Sequence, residues 1–156
     1  IKEASQAQIM ENWADTTLAK SIKIVFLEEL TKNPILISSL FANEISDSMQ
    51  KLLFNIPTKI ASQISGLINQ KEKESLKLNL ENLSNLINQE NFLIGDKLSI
   101  ADISVASHLS LLKFPNSSGE NLTGQGCSIY VNDPSLQNLF KWRDFIEDQL
   151  AITNHH

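Results

Sequence analysis

The side chains of this 156-residue chain that could do chemistry are few and far apart. Two of the three histidines, His155 and His156, end the chain and read as the stub of a purification tag, outside any metal reasoning. The third, His108, stands among apolar residues with no Cys, Asp or second His at ligand spacing, which reads as a core histidine. The single Cys127 has no adjoining Lys, Arg or His to lower its thiol pKa, so it reads as an ordinary loop cysteine. One cysteine cannot form an internal disulfide, and a reducing, cytoplasmic compartment is the expectation. No Ser-His-Asp, Cys-His or metal-ligand set can be assembled by spacing, so no catalytic residue and no metal ligand is expected here.

Asp102 is the carboxylate that first suggests catalysis, but its spacing assigns it another task. Ser99-Ile100-Ala101-Asp102 has the capping-box pattern, in which the serine hydroxyl and the acid bond each other's backbone N–H. Leu98 before the cap and Ile103 after it are placed to form a hydrophobic staple. Gly95 and Asp96 supply the turn ahead of the cap. The helix that follows carries Ile103, Val105, Ala106, Leu109 and Leu112, with small residues between. So much apolar and small surface implies burial on most sides.

Other motifs dissolve on inspection. Gly124-Gln125-Gly126 lacks the Gly-Lys-Ser/Thr ending and the preceding strand of a phosphate loop. Asn116-Ser117-Ser118 and Asn121-Leu122-Thr123 are formal glycosylation sequons that read as accidental. Lys71-Glu72-Lys73-Glu74 alternates in sign and reads as a solvated first turn. A net charge of −5 and a pI near 5.1 argue against nucleic acid or anionic membrane as a partner. No apolar run approaches the length of a membrane span.

The elements that must position these residues are helices. Hydrophobic content of 42% suffices for one core, and five Gly with four Pro favour long helices over many strands. Residues 3–32 are expected to form one helix, with Met10, Trp13, Thr17, Ile24 and Leu27 on one stripe and Leu18, Ile22, Val25 and Phe26 beside it. Asn33-Pro34 ends it. Residues 35–42 read as a short helix, and 44–69 as a long one kinked or broken near Asn55 by Pro57. Residues 70–90 carry the stripe Leu76, Leu80, Leu83 and Ile87. Residues 115–132 form a Gly/Ser/Asn-rich loop with room for a short strand at 128–131. Asp133-Pro134 then opens a last helix with Leu136, Leu139, Phe140, Ile146 and Leu150 inward. Residues 1–154 make a single domain.

With the elements in place, Gly95-Asp96-Lys97-Leu98-Ser99-Ile100-Ala101-Asp102 resembles the G-D-x-[LF]-[ST]-x-A-D segment of glutathione transferases. Phe92-Leu93-Ile94 upstream and Ala106-Ser107-His108-Leu109 downstream fit the same family. The resemblance implies an all-α helical bundle like that family's C-terminal domain, with no thioredoxin-like domain in this chain. It also implies that the chain, which does not open on Met, is a piece of something longer. The missing N-terminal thioredoxin-like domain would bind and activate glutathione, so glutathione is the implied co-substrate of the full-length protein and no cofactor is expected in this chain. The implied role here is the wall of the site for a hydrophobic electrophilic small molecule, with Met10, Trp13 and Thr17 as the substrate-side residues. A homodimer through the same long helix is also implied. The competing expectation is a non-catalytic interaction module of the same fold.

Overall fold

The computed structural model describes residues 2–42, 70–88 and 90–153. The helix expected over 44–69, with its kink at Pro57, lies outside the described residues. Within them the fold is all-α, in the order α1 (Lys2–Trp13), a π turn (Ala14–Leu18), α2 (Ala19–Lys32), α3 (Pro34–Ala42), α4 (Gln70–Ile87), α5 (Ile100–Leu109), α6 (Ser128–Val131) and α7 (Gln137–Thr153). Short 3-10 turns at Asn116–Ser118 and Pro134–Leu136 complete it. No strand occurs among the described residues. An isolated antiparallel bridge joins Lys113 to Gly126.

α1, the π turn and α2 form one rod where a single helix is expected. Its inner side carries Ala7, Ala14, Leu18, Ile22, Val25, Phe26 and Leu30, all buried. Asn33 ends the rod and starts α3, because its side-chain oxygen accepts the Leu36 N–H at 3.0 Å. Pro34 is the first residue of α3, where its missing N–H costs nothing. α4 buries Leu76, Leu80 and Leu83, whose steps of four and three keep them on one helical face. Its first turn is not wholly solvated. Lys73 reaches across to the buried Glu28 of α2 at 2.9 Å.

α5 is the hub and packs against α1, the π turn, α2 and α7. Its Ala101, Val105, Ala106 and Leu109 are buried, and the alanines let neighbouring backbones approach closely. Beyond α5 the chain folds back on itself. Gly126 lies against Leu112, and a Cβ there would stand 2.1 Å from the Leu112 carbonyl oxygen, so no other residue fits. Residues 128–131 form a turn of helix, not a strand. The Cys127 carbonyl accepts both the Tyr130 and the Val131 N–H, and no partner strand occurs among the described residues. Asp133 starts the final turn by accepting the Ser135 N–H at 2.9 Å. α7 then buries Leu139, Phe140, Trp142, Arg143 and Ile146. No helix among the described residues is long and apolar enough to cross a membrane.

Candidate functional site

An open groove of about 520 Å³ runs between α1 and α4. That volume is within the usual range for small-molecule sites. α1 contributes Gln6, Ile9, Met10 and Trp13, and α4 contributes Asn79, Asn82, Leu83 and Leu86. Ile94, from the turn ahead of α5, completes the lining. Among the described residues no charged side chain lines the groove, and its polar groups are three amides and the Trp13 indole N–H. Such a surface favours a neutral apolar ligand oriented by one or two hydrogen bonds, because a charge placed there would lose hydration without gaining a partner.

Met10 and Trp13 are therefore brought together, both half-buried and packed on the core. Thr17 is not with them. It is exposed and lines a separate depression with Thr16, Lys20, Ser21, Ile24 and Glu72. The reason is the π turn, in which the Ala19 N–H donates to the Ala14 carbonyl five residues back. One extra residue in the turn rotates everything after it, and Leu18, buried in the core, takes the inward position.

The capping residues act as supports of the groove. Ser99 is the N-cap of α5 and forms a capping box with Asp102. Asp102 is fully buried, and its Oδ2 accepts the Ser99 N–H at 2.8 Å and the Ser99 hydroxyl at 2.6 Å. Its Oδ1 accepts the Leu93 N–H at 2.7 Å. That last bond fixes the segment whose next residue, Ile94, lines the groove. The same segment is held from α7, where Trp142 Nε1 donates to the Asn91 carbonyl at 2.9 Å and the Phe145 ring lies 5.8 Å from that of Phe92. Leu98 is half-buried against the core, and Ile103 is half-buried.

His108 is not a core residue. It is half-buried on α5, and its Nε2 donates to Asp15 Oδ1 at 2.9 Å. The Ser104 hydroxyl donates to the same oxygen at 2.5 Å. The Ser104 bond, with the His108 bond and charge beside it, holds the Asp15 carboxyl below the usual range. Cys127 is buried, and burial together with the charges of Glu29 and Glu28 pushes its thiol far up, which disfavours the thiolate. Burial likewise raises the Tyr130 phenol to about 12. No group of three or more His, Cys, Asp or Glu able to hold a metal occurs among the described residues.

Ile9, Leu86 and Ile94 in the groove, the buried charges Glu28 and Arg143, and Asp15 are not among the residues that the sequence pattern singles out. Leu83 was visible on the α4 stripe. Ile9 and Leu86 are exposed, at 71% and 46%, and interrupt otherwise polar faces, which is the signal available in the sequence.

A family model described as "Glutathione S-transferase, C-terminal domain" matches residues 58–152. The match spans α4 through nearly all of α7, including Leu83, Ile94, Ser99 and Asp102. α1, with Met10 and Trp13, precedes it. Neither the curated proteins nor the solved structures gave a match to the chain.

Proposed function

The chain belongs to the glutathione S-transferase C-terminal domain family, and we propose that it is the substrate-side helical domain of a glutathione S-transferase-like protein. The observation that carries this reading is the uncharged groove bounded by Met10 and Trp13. In the full-length protein a thioredoxin-like domain would bind glutathione and hold its thiolate. The groove would desolvate an apolar electrophile and hold it for attack by that sulfur. Among the described residues none is assigned to the thiol itself, since Cys127 and Tyr130 are buried and their pKa values raised. The chain's contribution is orientation and exclusion of water. A homodimer and a cytoplasmic location belong to the same reading, supported by the exposed Ile9 on α1 and the unpaired Cys127.

The purified 156 residues should give no turnover of a chlorodinitrobenzene with glutathione, yet should bind an apolar analogue with quenching of tryptophan emission. Leu86→Glu places a charge on the groove from an exposed position and should weaken that binding at least tenfold. Turnover by the chain alone, or unchanged binding by Leu86→Glu, would refute the reading. The second reading is a protein-docking module, favoured by Ile9 and Leu86 standing exposed on either side of the groove. It predicts that fusion to the upstream segment yields no conjugation while a peptide competes for the groove.

A further inference from the structure

The π turn is the one irregularity in the rod from Lys2 to Lys32, and it starts immediately after Trp13. Such a turn widens the helix and frees a carbonyl, so it persists only where its surroundings hold it. Here two devices do so. The Thr16 hydroxyl donates to the Asn12 carbonyl at 2.6 Å. Asp15 is tied to α5 by Ser104 and His108, which stand one helical turn apart and both bond its Oδ1. Leu18, at the far end of the turn, is locked in the core. The rod is thus pinned on both sides of the extra residue, and the orientation of Trp13 is what the two pins leave determined.

We infer that Asp15, Ser104 and His108 form a clamp on the π turn that sets how Trp13 enters the α1–α4 groove. They are positioning residues for an apolar ligand, acting through Trp13 without touching it. The inference rests on the groove being a ligand site. Asp15 is exposed at the surface, so its replacement leaves the core intact.

The test uses the full chain with N-phenyl-1-naphthylamine, which is neutral at pH 7, as the apolar probe. Acrylamide quenching follows Trp13, its share obtained by difference against Trp13→Phe. Asp15→Ala should raise quenching of Trp13 about twofold and weaken the probe about fivefold, with the melting temperature little changed. Ser104→Ala and His108→Ala should each give part of the effect. Asp15→Asn keeps an acceptor oxygen and should restore both readouts. Asp133→Ala, which unties a cap and a bridge to Lys77 of α4, neither of them lining the groove, should move neither. Quenching in Asp15→Ala equal to wild type overturns the clamp. So does Asp15→Asn behaving as Asp15→Ala, or a loss that Asp133→Ala reproduces. No probe binding by the wild type would instead overturn the groove reading and the ligand-positioning role with it, while the quenching series still decides the clamp.

Discussion

Two buried carboxylates show how the same group does different work in different company. Asp102 is fully buried and accepts three bonds, from Ser99 N–H, Ser99 Oγ and Leu93 N–H. Asp102→Ala strands two backbone donors at roughly 1–3 kcal/mol each, whereas Ser99→Ala loses a cap worth roughly 0.5–2 kcal/mol. Urea unfolding should therefore rank Asp102→Ala below Ser99→Ala, and equal midpoints would remove Leu93 from the account. Glu28 is held otherwise. Burial pushes its pKa up, but the bonds from Lys32 and Lys73 outweigh that and leave it lowered. A carboxyl lowered by folding stabilises the native state above its unfolded pKa, and that stability is lost as pH falls through the folded value. Glu28→Gln should accordingly lower the urea midpoint at pH 7, and the gap from wild type should shrink as the solution is acidified below about pH 4. A gap that widens in acid would reverse the sign of the argument.

At the scale of elements, periodicity located the helices, and local chemistry located their ends. The stripe Leu76, Leu80, Leu83 placed α4, Asn33-Pro34 placed the α2–α3 break, and Ser99 placed the start of α5. Two features escaped because no local pattern encodes them. The π turn at Ala14–Leu18 is fixed by tertiary bonds from α5, so the local pattern predicts a regular helix with Thr17 beside Met10 and Trp13, a face it does not occupy. The helix at Ser128–Val131 falls in a stretch that reads as a loop with room for a short strand, and the turn bonds to the Cys127 carbonyl override the β propensity of its residues. The π turn makes a sharp prediction. Deleting Thr17, which is exposed within it, removes the extra residue and lets the rod close into a continuous α-helix with both flanking faces kept. Deleting Lys23, equally exposed but within regular α2, rotates the remainder of the helix by about 100°. Far-UV circular dichroism and thermal melting should show the first deletion folded and the second severely destabilised. The same result for both would mean that the π turn is not an inserted residue.

For the whole molecule, the groove joins two parts of different standing. α4 and Ile94 lie within the family match at residues 58–152, whereas Met10 and Trp13 precede it. Their meeting depends on α5, which packs on α1 and the π turn on one side and on α7 on the other. α7 in turn reaches back through Trp142 to Asn91 and through Arg143 to the Lys113 carbonyl. A ligand in the groove touches α1 and α4 together and so can bind the native state alone. Mass action then ties occupancy to stability. At a hundredfold excess over Kd the native state gains about 2.7 kcal/mol, which for a chain of this length raises the melting temperature by roughly 5–10 °C. A neutral apolar electrophile analogue should produce that shift in the wild type. Ile9→Glu alters a residue 71% exposed, so it should leave the unliganded melting temperature within about 2 °C and abolish the shift. If the shift survives Ile9→Glu and Leu86→Glu alike, the ligand binds elsewhere and the groove is not the site.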